Sequence, residues 1–520
     1  MTLTQVEFEE TGSFSSLFLD YLNKKEALAP FYNVFPTIEN FQKLIDQREE
    51  FPSEKRHTLV KVLLEQYGGL DKTGATEHNI HALGEPNTFT ITTGHQLNIF
   101  TGPLYFIYKI VTVVNACKKL KAQYPAYNFV PVYWMASEDH DIAEISSFNL
   151  FGKKHQWQTE QTGAAGRLLP HSLDTIIKEL PEVVTLFEKA YLDHDTLADA
   201  VRYYVNKLFG EYGLLVLDAD HRQLKAEFGA VIKTELLTQV SNELVVKDSK
   251  ALDAAGYKSQ AFSREINLFY LEGNIRERIV KENDQFKVLN TDLSFSEAEI
   301  IALVERKPEL FSPNVILRPV YQETILPNLA YSGGPAEIAY WFQLKSVFEK
   351  TNTFFPALLP RTFAMVINKA QAKKADKLEL NPTDVFKSTN QLKEEFLTKN
   401  SENDFDLTSE KKSLTEFFES LKQKATLIDG SLTGFIGAEG AKSFKSLDTI
   451  SKRMKKAEEQ NNETAMNQID SLKEKLFPNG SLQERHDNFL NFYLNNPNFI
   501  NEVMHHFDAF EFKFNILKEG

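Results

Sequence analysis

Twice along this chain a β-rich run breaks at glycine and passes at once into an apolar helix. Residues 87–93 (NTFTITT) enter the loop GHQLNIFTG and continue as PLYFIYKIVTVVNACKKL. Around 315–367, NVILRP and then LAYSGGPAEIAYWFQLKSVFE repeat the sequence of strand, glycine loop and helix, and FFPALLPRTFAMVI follows. Alternation of this kind brings successive strands into one parallel sheet with helices on its faces. Two further runs, FVPVYWMA (129–136) and GLLVLDAD (213–220), are nearly continuous apolar stretches ending in acids, as strands buried on both faces are. The expected fold class is α/β, with ligands beyond the carboxyl ends of the strands, where the two glycine loops can meet.

The rest of the chain divides around that core. Residues 1–85 read as a helical segment, since FSSLFLDYL, IENFQKLIDQ and HTLVKVLLEQY space apolar residues three and four apart. Residues 86–155 form the first half of the core. An inserted connecting region, 156–290, holds a helix, DTLADAVRYYVNKLF, and two antiparallel runs, INLFYLEG and RERIVKEN. The second half, 291–381, opens on a helix whose Ser296 and Glu299 form a capping box. From 382 to 476 the composition shifts to Lys, Glu, Ser, Leu and Phe. There Leu414, Phe417, Leu421, Ala425 and Ile428, then Leu447, Ile450, Met454 and Ala457, make two apolar seams around the turn DGSLTG (429–434). Such seams predict an antiparallel coiled-coil hairpin, with Asn461 interrupting the second. The aromatic tail, 477–520, is expected to dock on the body.

A net charge of -14 argues against nucleic acid and anionic membranes as partners. One cysteine, Cys117, within an apolar helix, excludes a disulfide framework and a Cys-rich zinc site, and predicts a buried, inert thiol. The acidic MTLTQVEFEE is no secretory signal and no apolar run is long enough to span a bilayer, so the expected location is the cytoplasm.

Four groups of residues could carry chemistry. In the first glycine loop Thr93, Gly94, His95, Gln96 and Gly102 precede a helix start, which favours a phosphate or carboxylate; equally, the loop is a turn needing positive φ at its glycines. The tetrad Glu138, Asp139, His140 and Asp141 directly follows a buried strand and could orient an amine, take a proton or hold a divalent cation; as a bland alternative it is a solvated helix start. No strong metal-ligand spacing occurs, so no metal ligand is assigned. Ser332, Gly333, Gly334, Glu337 and Tyr340 belong to the second glycine loop and its helix, and Trp134 lies on the strand before the tetrad. Lys109, Arg318 and Arg361 could each neutralise a phosphate, although a lone cation is usually a solvated surface charge.

Together, TGHQLNIFTGPLYFIYKI, VPVYWMASEDHDIAEI, RPVYQETILPNLAYSGGPAEIAYW and LFPNGSLQER closely resemble the bacillithiol-synthesis cysteine-adding enzyme family, from about residue 85 to the end. That resemblance implies a Rossmann-type core related to class I aminoacyl-tRNA synthetases, connecting insertions, a C-terminal coiled coil and homodimers. It implies a ligase joining cysteine to glucosaminyl-malate, the last step towards bacillithiol. The chain shows neither an H-I-G-H nor a K-M-S-K-S pattern, and it lacks the cysteines with which related enzymes hold zinc, so thiol selection without zinc is expected. For His95 it implies polar contact.

Amide formation from a carboxylate in water needs a better leaving group than oxide. The expected scheme is ATP, with Mg2+, activating cysteine as an acyl-adenylate held by Thr93, Gly94, His95, Gln96, Gly102, Lys109, Gly333, Gly334, Arg318 and Arg361. Asp139, His140 and Asp141 would then orient the attacking amine or take its proton, with Glu138, Trp134, Ser332, Glu337 and Tyr340 contacting substrate. Two other readings use the same residues differently: a metal-dependent glycosyl or nucleotidyl transferase, or a non-enzymatic dimeric scaffold presenting the coiled coil.

Overall fold

The computed structural model describes residues 1–520 except Val183, Glu402, Asp404 and Phe405. The chain forms two compact units, one of residues 3–365 and 482–516, the other of residues 366–481 with the last few residues.

The larger unit is built on five parallel strands: β1 (Thr88–His95), β2 (Asn128–Met135), β3 (Leu215–Asp218), β4 (Asn328–Gly333) and β5 (Ala357–Pro360), in the order β5-β4-β1-β2-β3. Read from the far edge this is 3-2-1-4-5, the doubly wound order in which the direction of winding reverses between β1 and β4. Pairing of Thr93 with Ser332 and of His95 with Met135 brings the carboxyl ends of β1, β2 and β4 level. The hydroxyls of Thr90 and Thr92 on central β1 are satisfied by Asn328 Oδ1 at 3.0 and 2.9 Å, so polar side chains occur in a buried strand without orphaned groups.

The helix α1 (Tyr105–Gln123) is buried almost continuously from Phe106 to Cys117, because the sheet covers one side and the returning tail another. Asn115 donates from Nδ2 to the carbonyls of Met504 and Phe507 in that tail. Before the sheet, helices such as Phe41–Arg48 and Ser53–Gln66 account for much of residues 1–85, while Thr2–Val6 is a strand. The inserted region carries the expected helix, Leu197–Phe209, and an antiparallel sheet whose strands Leu268–Glu272 and Ile275–Glu282 form a hairpin. NVILRP is not a strand: Pro319 fits the first turn of a helix, α2 (Arg318–Ile325), where its missing N–H costs nothing.

The second unit contains the expected hairpin, α3 (Thr408–Ile428) and α4 (Leu432–Asn461), followed by Glu463–Leu476. The turn is shorter than the DGSLTG segment, because Leu432 to Gly434 already belong to α4. The two helices meet where Gly440 lies against the Phe418 ring, and Lys411 pairs with Asp448 at 2.7 Å. The apolar seams are only partly enclosed: Ala425 is buried, whereas Phe417, Ile428 and Ile450 remain 57%, 82% and 50% exposed. Asn461 ends α4 and donates to Glu458.

Candidate active site

A cavity of about 770 Å³ opens at the reversal between β1 and β4, a volume typical of small-molecule sites. Gly94, His95 and Gln96 from the end of β1, Trp134 and Glu138 to His140 from β2 and its loop, and Gly334, Glu337 and Tyr340 after β4 all line it. Gly94 has a definite function here: a Cβ in its place would stand 3.2 Å from the Tyr331 hydroxyl and 3.7 Å from the Arg318 guanidinium. Gly102 is different. It takes φ +63° after Phe100 and Thr101, which also have positive φ, in a tight turn clamped by Asn488 Nδ2 donating to the carbonyls of Phe100 and Gly102. Thr93, Gly102, Asp141, Ser332 and Gly333 do not line the cavity; Thr93 and Ser332 are buried beneath it, and Asp141 caps the short helix Ile142–Ile145 through Glu144 N–H.

The three basic residues singled out by sequence differ in what already neutralises them. Lys109, 4% exposed at its side chain, pairs with Glu337 at 2.7 Å and donates to the Gly94 carbonyl. Arg361 is held by Glu484 at 2.5 and 3.1 Å, both buried, which gives the LFPNGSLQER motif a structural task. Arg318 makes no ion pair among the described residues. It donates to the Tyr340 hydroxyl and Gln322 Oε1 and lies over the Tyr331 ring, presenting an uncompensated cation to the cavity.

Glu337 is a hub: its carboxylate accepts from the Tyr331 hydroxyl at 2.6 Å and the Gly334 N–H at 2.9 Å besides Lys109. Burial would raise this carboxyl, but the Lys109 charge and those hydrogen bonds outweigh it and hold it below the ordinary glutamate value. The backbone N–H at Gly334 is thereby already occupied. His95, set edge-to-face against Tyr105 and tilted against Phe106, has a buried Nε2 without a hydrogen-bond partner. Burial first, then the Lys109 and Arg361 charges, push its imidazole down to about 3, so it is neutral at any physiological pH.

The acidic tetrad separates into unequal members. Glu138 is paired with the buried Lys225 at 2.5 Å, and Lys225 also reaches Asp220 at 3.2 Å. Asp139 accepts from Gln96 Nε2 at 2.8 Å and from its neighbour's N–H, and the same Gln96 amide donates to Glu144 at 2.5 Å. Asp139 has no lysine or arginine partner among the described residues. His140 Nδ1 accepts from Arg276 at 2.5 Å, which places the ring proton of the neutral imidazole on Nε2. Burial and Arg276 lower its pKa, against Asp139 and Asp141. His140 is therefore a donor in this arrangement, and Asp139 and Glu144, both accepting from Gln96, are the carboxylates of the cavity without a lysine or arginine partner among the described residues. Among the described residues no group of three or more His, Cys, Asp and Glu side chains is arranged to hold a metal ion.

Sequence reasoning passed over Arg276 and Arg278, which line the cavity from the inserted sheet, Arg264 on the segment leading into it, and Tyr331, whose hydroxyl fixes Glu337. The signal for two of them was present: arginines two apart in RERIVKEN share one face of a strand.

Residues 1–362 match the family model described as bacillithiol biosynthesis BshC, N-terminal Rossmann-like domain, and residues 364–519 match that of the BshC C-terminal coiled-coil domain. The chain belongs to the bacillithiol biosynthesis BshC family. Relatives named "Putative cysteine ligase BshC" include those of Flavobacterium psychrophilum, 45% identical over 528 residues and 99% of each chain, and Flavobacterium johnsoniae, 46% identical over 500 residues and 94% of each. A more distant one, from Chlorobaculum tepidum, is 29% identical over 537 residues and 94% of each. Membership makes this chain a carbon–nitrogen bond-forming ligase, with a Rossmann-like core and a coiled-coil domain as its sequence led one to expect. Among the described residues no helix is long and apolar enough to cross a membrane.

Proposed function

We propose that this ligase joins L-cysteine to glucosaminyl-malate, forming bacillithiol, with ATP as the activating co-substrate in the reducing cytoplasm. The cysteine carboxylate attacks the α-phosphorus of ATP and pyrophosphate leaves; the glucosamine nitrogen then attacks the acyl carbon, a C–N bond forms and AMP leaves. Mg2+ enters with the nucleotide and offsets charge on its phosphates.

The observation that carries the reading is an arginine without an ion pair and a carboxylate without a lysine or arginine partner in one cavity at the sheet's reversal. Arg318 fits the carboxylate or phosphate of the activated cysteine, and Asp139, fixed by Gln96, fits the proton released when the amine attacks. The neutral His95 adds a polar contact without adding charge. Lys109 and Glu337 hold the floor of the site in shape, and Tyr340 orients Arg318.

Purified protein given ATP, cysteine and glucosaminyl-malate is expected to release one AMP per bacillithiol formed. ADP in its place removes the adenylate, and absence of product overturns the assignment.

The enzyme works as a homodimer through its hairpin in this reading. Leu414, Phe417, Leu447 and Ile450 line an open apolar groove there, and exposed aromatic and branched side chains of this kind favour burial against a second copy. Phe417→Glu with Ile450→Glu is expected to halve the mass seen by light scattering; an unchanged mass refutes the hairpin interface.

A further inference from the structure

The wall of the cavity contributed by the inserted sheet is basic, and nothing in the ligation scheme above uses it. Arg276 and Arg278 alternate along the strand Ile275–Glu282 and so project from one face, opposite Leu271 and Phe269 of the neighbouring strand. The Arg276 guanidinium lies 4.0 Å from the centre of the Phe269 ring, and it is fixed by bonds to the Ser312 hydroxyl and His140 Nδ1. Arg264, on the segment leading into this sheet, lines the same cavity, and the Nε of Arg278 is buried without a hydrogen-bond partner. None of the three makes an ion pair among the described residues. Arg276 also feels the charges of Glu138, Asp139 and Asp220, Arg264 is exposed, and Arg278 is half-buried with its Nε unpartnered, so this wall keeps guanidinium donors available to an anion entering the cavity.

We infer that Arg264, Arg276 and Arg278 form a dicarboxylate subsite that takes the malyl end of the acceptor and sets specificity for it. This rests on the proposed ligation of glucosaminyl-malate. The guanidinium fork matches carboxylate geometry, and three forks suit two carboxylates close together. The position agrees as well. The bond from Arg276 to His140 joins this wall to Asp139, so a molecule with carboxylates on the arginines extends its amine towards the carboxylate that takes the proton. Arg318 lies apart from this wall, beside Tyr331 and Tyr340, next to Gly94 at the end of β1. Nucleotide phosphates, which guanidiniums would also bind, have their place there.

Arg278→Met and Arg264→Met test the subsite without releasing His140 from Arg276. Each is expected to raise KM for glucosaminyl-malate about tenfold or more, the effect of losing about 1.4 kcal/mol of binding, while KM for cysteine and ATP stay within about twofold. Wild-type protein alone, titrated calorimetrically with glucosaminyl-malate, malate and glucosamine, should bind the first two and not the third, and both variants should lose the malate heat. An unchanged acceptor KM with intact ligation overturns the subsite and leaves the ligase reading standing. A rise in KM for ATP in its place assigns the arginines to phosphate and also overturns it. Malate binding that vanishes in the variants supports the subsite even if no bacillithiol forms, and malate binding that survives in both refutes it. Thermal unfolding of each variant within a few degrees of wild type separates these results from misfolding.

Discussion

Replacing Glu337 by glutamine should damage the fold more than replacing Lys109 by methionine, although each change breaks the same ion pair. At 2.7 Å, two unit charges attract by about 6 kcal/mol at an effective dielectric constant near 20, most of which offsets the cost of burying them. Without Glu337 the Lys109 ammonium, 4% exposed, keeps one protein partner, the Gly94 carbonyl oxygen, and otherwise only what water the cavity admits. A loss of about 3 to 5 kcal/mol is expected for Glu337→Gln. Without Lys109 the Glu337 carboxylate, 23% exposed, retains the Tyr331 hydroxyl and Gly334 N–H, so Lys109→Met should cost about 1 to 3 kcal/mol. The double variant should recover at least about 1.5 kcal/mol of the summed losses. All three tryptophans, Trp134, Trp157 and Trp341, lie in the Rossmann-like unit, so the denaturant dependence of their fluorescence reports that unit alone. Equal single losses that add without coupling would refute the placement of a buried, mutually dependent pair.

Glu323 is buried, and burial raises its carboxyl from 4.5 to about 7 against Arg48 and bonds from Asn328 and Gln322. The native state thus holds a proton that the unfolded chain releases first; this stability is complete below about pH 4.5 and lost as pH rises through 7, about 3 kcal/mol in all. Glu323→Gln should flatten that part of the stability profile measured by denaturation at several pH values, and an unchanged slope refutes it. Asp139→Asn should lower kcat by about 10² to 10⁴ with KM for cysteine and ATP nearly unaltered, since it removes a base and little binding; an unchanged kcat in steady-state assays moves the base elsewhere. Burial raises the Cys117 thiol well above its ordinary value, so a maleimide should label it only as fast as the protein unfolds, and rapid labelling of native protein would contradict its packing.

The sheet was legible because its signals are local. Strand β1 is a threonine-rich run ending at glycine, β2 and β3 are apolar runs that lead into acids, and the Glu138–Asp141 tetrad follows β2 where sites lie in such folds. Pairing of charges was not legible, because it is made across the fold. Lys109, Arg318 and Arg361 look alike in sequence, yet Glu337 and Glu484 neutralise two of them and leave Arg318. Likewise Glu138 and Asp139 are neighbours, and the fold gives one to Lys225 and the other to Gln96. The arginines of the inserted sheet were missed because alternating charges on a strand ordinarily mark a solvated face. In the hairpin, residues three and four apart define an apolar face but not its partner, so Phe417 and Ile450 emerged exposed while Phe418 met Gly440.

The most direct test of a single ligation cavity at the reversal of the sheet is a crystal structure with a non-hydrolysable cysteinyl-adenylate analogue. The analogue should lie between β1 and β4 with Arg318 on its acyl-phosphate mimic and Asp139 within reach of an incoming amine. An analogue bound on the coiled-coil unit, or excluded by an enzyme that still makes bacillithiol, would contradict the account.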